Sequence, residues 1–218
     1  MGTRATGIDV SSYQAHVNWP TVYASGVRFV GIKASEGRTH IDTQFETHRA
    51  GFRGCPFTLG VFYHFARPGD PKEQAALFLK TVGPLLDNER LALDFELALT
   101  LVPADSLAWI DTFFGELRKA YSDRRHLIYT SKRIWKSIGD PDWSGARNVD
   151  LWAPRYNSIG HEPEVPRPWS EWHIWQWTDG GLQETPGVGR CDANVFCGDN
   201  EALTAYAKLD EDLTPVVA

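Results

Sequence analysis

Leu59-Gly-Val-Phe-Tyr-His-Phe65, Asp70-Pro-Lys-Glu-Gln-Ala-Ala-Leu-Phe-Leu-Lys-Thr-Val-Gly83 and Leu91-Ala-Leu-Asp-Phe-Glu96 follow one another in the chain, and their textures alternate. The outer two are short and near-continuously apolar, as strands buried on both faces should be. The middle one opens with Asp-Pro, a good N-cap and first-turn pair, and carries Ala75, Ala76, Leu79 and Val82 on one helical face. Strand, helix, strand in this order implies a parallel sheet.

The same alternation extends outward. Apolar runs recur at 7–10, 28–34, 127–130, 149–153, 173–177 and 193–196, which with the first two makes eight strand candidates. Helical patterns fall at 17–25, 43–53, 105–121, 132–138 and 200–209. In 105–121 the stripe Ile110, Phe113, Phe114, Leu117, Ala120, Tyr121 is the clearest. Pro20 suits a first helical turn better than an interior. Eight strands favour closure. The expected fold is α/β, a modified (β/α) TIM-like barrel with fewer than eight helices, because helix signals fade after about Ile138. A doubly wound open sheet is the alternative, and it lacks its usual glycine-rich phosphate loop. Residues 1–209 read as one catalytic domain and 210–218 as a flexible tail.

Composition narrows the function. The chain has 218 residues and a formal charge of -6, which argues against a nucleic-acid binder needing a basic face. No run approaches 18 consecutive apolar residues, so no membrane span is expected. The start, Met1-Gly-Thr-Arg4, has no apolar signal-peptide core. Cys191 and Cys197 either bridge or act as small hydrophobes. No CxxC or HxxxH spacing accompanies the cysteines, so no metal site is expected. Nine Trp, seven of them between 135 and 177, read as a full core plus something flat to bind.

The chemistry centres on Asp94 and Glu96. Side chains alternate along a strand, so these two point one way, about 6–7 Å apart at Cβ, and Phe95 points the other. They end an apolar run, where barrel enzymes place chemistry. Like charges this close push two pKa values apart, so one acid keeps its proton while the other ionises, as a glycosidase requires. Asp9 lies in the first apolar run and Asp192 opens the last. If the first and last strands are neighbours, both reach one mouth. Tyr63, Tyr129, Trp152, Tyr156 and the Trp175-Gln176-Trp177 run add flat rings and hydrogen-bonding tips suited to sugar. Lys33 and Glu36 are either an ion pair at the mouth or a surface pair. His64 reads as a structural histidine rather than a base.

Gly7-Ile-Asp-Val-Ser-Ser-Tyr-Gln14 and Phe29-Val-Gly-Ile-Lys-Ala-Ser-Glu-Gly37 resemble the opening of glycoside hydrolase family 25, the Chalaropsis-type lysozymes. Tyr63-His-Phe65, Leu93-Asp-Phe-Glu96, Ile128-Tyr-Thr130, Leu151-Trp152, Trp175-Gln-Trp-Thr178 and Asp192-Ala-Asn-Val-Phe196 follow in the family's order. Pro154 and Arg155 depart from its pattern. The resemblance implies hydrolysis of the β-1,4 bond between N-acetylmuramic acid and N-acetylglucosamine in peptidoglycan, without cofactor or metal. It implies Glu96 as general acid and Asp94 as support for the reacting sugar, either steadying an intermediate formed by the substrate's N-acetyl group or orienting water. Asp9 and Asp192 would complete the acidic floor, with Tyr63, Tyr129, Trp152, Lys33 and Gln176 binding sugar. A monomer acting on the bacterial cell wall, outside the membrane or in the periplasm, is expected. The rivals are a non-catalytic carbohydrate-binding module and a hydrolase of another N-acetylhexosamine polymer such as chitin.

Overall fold

The computed structural model of the chain describes residues 3–96, 103–156, 161–181 and 184–209. In chain order the elements are β1 (Thr6–Val10), α1 (Trp19–Ala24), β2 (Val27–Glu36), β3 (His40–Ile41), α2 (Phe45–Arg53), β4 (Leu59–Phe65), α3 (Pro71–Val82) and β5 (Glu89–Asp94). They continue with α4 (Pro103–Ala120), β6 (His126–Tyr129), α5 (Lys132–Ser137), β7 (Val149–Pro154), β8 (Ile174–Thr178), β9 (Asp192–Phe196) and α6 (Asn200–Tyr206). Local chemistry explains the helix starts. Asp70 accepts from the Lys72 N–H at 2.7 Å, with Pro71 in the first turn. Asn18 caps α1 through the Thr21 N–H, which places Pro20 in the first turn as its lack of an N–H requires.

All eight expected strands form, and they close into a barrel. Pairing is parallel from β1 to β2, β4, β5, β6, β7 and β8 in turn. β3 is a two-residue hairpin arm on the end of β2. The expectation of a parallel sheet throughout needs one correction: β9 runs antiparallel to both β8 and β1. A parallel return needs a crossover, usually a helix. Among the described residues the connection from β8 to β9 contains none, and the chain doubles back instead. The reversal brings the first residue of β9, Asp192, directly opposite Asp9 in register.

Strand alternation sorts two cores. Phe29, Leu59, Val61, Ala92, Leu127, Ile174 and Phe196 fill the barrel. Val30, Ile32, Phe62, Leu91, Leu93, Ile128 and Leu151 face outward against Phe45, Phe52, Phe78, Ile110, Phe113 and Phe114 of the helices.

The tryptophans are also corrected. Trp135, Trp143 and Trp169 pack on one another, with ring centroids 4.8–6.2 Å apart, as part of the outer core rather than the mouth. Trp175 is fully buried and belongs to the outer core, and Trp177 packs against that core. Of the nine, Trp152 is the one in the barrel interior. The cysteines are all free thiols. Cys191 and Cys197 bracket β9, which at ~3.3 Å per residue holds them roughly 20 Å apart, beyond the reach of a bridge.

Candidate active site

The parallel strands all end at one mouth, and there their inward positions turn polar. Asp9 (β1), Lys33 (β2), Tyr63 (β4), Asp94 (β5), Tyr129 (β6), Trp152 (β7) and Gln176 (β8) converge, with Glu96 just past β5 and Asp192 opening β9. Together they line a pocket of about 220 Å³. All nine residues singled out from the sequence therefore meet in one place. Ser11, Tyr13, Phe65 and Tyr156 line it as well. A larger cavity of about 500 Å³ opens elsewhere, beside Asp150. That carboxylate is already paired with Arg125 at 2.6 Å and accepts from the Tyr206 hydroxyl at 2.8 Å, so it serves to tie α6 to β7.

The acids do not share one environment. Asp94 is buried, and its enclosed Oδ1 has no hydrogen-bond partner among the described residues. Burial first, and the charge of Glu96 second, hold it well above the usual carboxylate range. Glu96 is only partly buried. Burial raises it too, against the opposing pull of Lys33. Asp9 is raised by burial, although hydrogen bonds from Asn194, Gln176 and Asp192 oppose the rise. Asp192 is pushed up to about 8 by burial and by the neighbouring Asp9. The floor pair and the Asp94–Glu96 pair thus each hold a proton where isolated carboxyls would have lost theirs.

The expected sugar-binding residues divide by exposure. Trp152 is 3 % exposed and floors the pocket rather than walling it. Its Nε1–H donates to Asn194 Oδ1 at 2.8 Å, and Tyr63 and Tyr129 meet its ring edge-on. Lys33 pairs with Glu36 at 2.7 Å, settling that pair as an ion pair at the mouth. Gln176 is tied into the protein on both ends of its amide. The exposed rings are Tyr156 at 50 % and Tyr13 at 91 %. Tyr13 and Asn194 were missed as site residues. Asn194 carried a usable signal, since it lies two positions from Asp192 on the same strand face. His64 is buried and neutral, lowered to about 4 by burial. Its Nε2–H donates to Gln74 and its Nδ1 accepts from Ser35.

Trp152 fits beneath the acids only because position 31 is glycine. A Cβ there would lie 2.7 Å from both Asp9 Cβ and Trp152 Cη2. Gly31→Ala is expected to cost about 1–3 kcal/mol by overpacking. Activity should fall further than stability accounts for, because the displaced groups are Asp9 and the pocket floor. Melting curves beside initial rates check this, and an unchanged rate would mean that the floor tolerates displacement.

Comparison with known proteins identifies the family. The family model for glycosyl hydrolases family 25 matches residues 8–187. The chain is 31% identical over 214 residues to lysozyme M1 of Streptomyces globisporus, covering 92% of this chain and 70% of that protein. It is 31% identical over 198 residues to an N,O-diacetylmuramidase of Chalaropsis sp, covering 79% and 87% respectively. Its structure matches a family GH25 lysozyme from Aspergillus fumigatus with a TM-score of 0.84 and 31% sequence identity, over 94% of this chain and 100% of that one. The matched stretch holds Asp9, Asp94, Glu96 and Gln176, and the barrel brings Asp192 to them from beyond it; the chain belongs to glycosyl hydrolases family 25 and is a glycosidase.

Proposed function

We propose that the pocket hydrolyses the β-1,4 bond between N-acetylmuramic acid and N-acetylglucosamine in peptidoglycan, with Glu96 as general acid and Asp94 as the group that supports the reacting sugar. The observation that carries this is the pair at the end of β5. Two carboxyls both lie above their ordinary range, and the deeper one has an enclosed oxygen with no hydrogen-bond partner among the described residues. Asp94 lines the pocket, and an amide N–H of the substrate's N-acetyl group is a fitting partner for its carboxyl.

The pair shares its proton. Without such a donor the proton rests on Asp94, the more deeply buried carboxyl. An N–H donated to Asp94 favours its ionised form, and the negative charge then favours the proton on Glu96. Glu96 gives that proton to the leaving glycosidic oxygen as the C–O bond breaks. The N-acetyl carbonyl oxygen closes on the anomeric carbon. Water then opens the ring so formed, and Glu96 takes back a proton from it. The scheme calls for no metal or cofactor. Among the described residues no group of three or more His, Cys, Asp or Glu is placed to hold a metal ion. Tyr156 and Tyr13 offer rings to the sugar at the rim, and the site of action is the bacterial cell wall.

Digesting purified peptidoglycan and chitin side by side tests this reading. New reducing ends are trapped with borohydride and identified by mass spectrometry. Reduced muramic acid termini from peptidoglycan, with chitin untouched, are the expected products. Reduced N-acetylglucosamine termini from either polymer would replace the substrate assignment.

A further inference from the structure

Gln176 stands at the centre of the pocket floor, 3 % exposed. Its Nε2 donates to Asp9 Oδ2 at 2.9 Å and to Asp192 Oδ2 at 3.1 Å. Its Oε1 accepts from the hydroxyls of Tyr129 at 2.7 Å and Tyr156 at 3.0 Å. An amide has two N–H donors and two acceptor lone pairs, and all four are used here. The orientation is forced, since a flipped amide would set its oxygen against two carboxylate oxygens. Nothing is left on Gln176 for a sugar hydroxyl. The sequence pointed to a substrate contact, and the geometry points to another task.

The donors on the floor are unequal. Asp9 Oδ2 receives a second amide, from Asn194 Nδ2 at 2.7 Å, while that amide's oxygen is held by Trp152. Asp9 therefore accepts two amide hydrogen bonds and Asp192 one. We propose that Gln176 is a positioning residue that keeps the floor pair's charge on Asp9 and its proton on Asp192, and that this charge keeps Glu96 protonated for its turn as acid. The second half rests on the reading of Glu96 as general acid.

The physical links are short. A carboxylate that accepts more N–H groups ionises more readily. The Asp9 charge in turn raises both Asp94 and Glu96. Opposing it at Glu96 are Lys33 from β2, Arg67 after β4 and Arg133 on α5. Around Gln176 stand Asp9 on β1, Tyr129 on β6, Tyr156 after β7 and Asp192 on β9, and Asp179 adds its charge to Asp192. Burial holds both Tyr129 and Tyr63 above the ordinary phenol range, so both stay neutral and Tyr129 remains a donor to Gln176.

Gln176→Met keeps the length of the side chain and removes all four hydrogen bonds. Carbon-13 NMR titration of the aspartate carboxyls, without substrate, should show the first ionisation of the floor pair moving to higher pH. Asp9 then carries less charge near neutrality, and Glu96 loses its proton earlier. The alkaline limb of kcat against pH should move down by about one unit, with KM changed less than about twofold. Gln176→Leu also removes all four hydrogen bonds and adds no charge, so it should shift both readouts the same way; it serves if the methionine variant does not fold. A rise in KM with an unmoved alkaline limb would make Gln176 a substrate contact and overturn the proposal. An unmoved carboxyl titration would overturn it as well. Because the titration needs no substrate, a protein inert on peptidoglycan would sink the functional reading without deciding the titration result.

Discussion

Glu96→Gln is expected to lower turnover on purified peptidoglycan by about 10²–10⁴-fold, the usual contribution of a positioned general acid. The melting temperature should stay within about 2 °C of the parent. The two halves rest on different observations. The loss follows from chemistry, since an amide of the same shape has no proton to give to the leaving oxygen. The retained stability follows from position. Glu96 lies past the last residue of β5, where strand pairing ends at Asp94. Its charge is a cost to the fold, because burial and the Asp9 charge both oppose its ionisation. Removing that charge takes nothing from the barrel. A variant that kept more than about a tenth of parental activity would assign the acid elsewhere in the pocket.

Asp94→Asn carries the second large effect, and it separates function from stability. Activity should fall about 10²-fold or more, because the amide cannot bear the charge that supports the reacting sugar. Stability should move the other way as pH rises. The folded pKa of Asp94 lies well above its unfolded value. Below the unfolded pKa both states are protonated and the group is neutral in each. Above it the unfolded chain ionises while the fold still holds the proton. Stability then drains away at about 1.4 kcal/mol per pH unit until the folded pKa is reached. Asparagine has no such slope. It brings a buried amide of its own, and that cost does not vary with pH. The difference in melting temperature, variant minus parent, should therefore grow more favourable from pH 4 to 7. For a chain of this size it should gain roughly 2–4 °C per kcal/mol. Scanning calorimetry across that range reads it directly. A difference that stays flat with pH would show that Asp94 ionises freely in the fold, removing the basis for a shared proton.

Much of this was legible in the residues. Strand and helix periods are local, so the eight strands and the helices between them could be placed from apolar spacing alone. The Asp94–Glu96 pair was legible for the same reason, because i and i+2 on a strand share a face whatever the strand pairs with. The antiparallel course of β9 was not. A period of two is the same whichever way a strand runs, and nothing in Asp192-Ala-Asn-Val-Phe196 marks its direction. The tryptophans misled for a related reason. Trp175 and Trp177 flank Gln176 and so read as part of a sugar cleft, but their alternate positions on β8 face the outer core instead.

The sequence by itself determined the alternating architecture, the end of the barrel where acids gather, and the pair of carboxyls that carries the chemistry. Each of these rests on neighbours within a few positions. The tertiary structure alone decided which acid holds a proton. Asp9 and Asn194 lie 185 residues apart in the chain and 2.7 Å apart in the fold. That contact, the amide of Gln176 and the burial of Asp94 are products of barrel closure. Protonation follows desolvation and the count of hydrogen-bond donors, and neither exists until the strands meet.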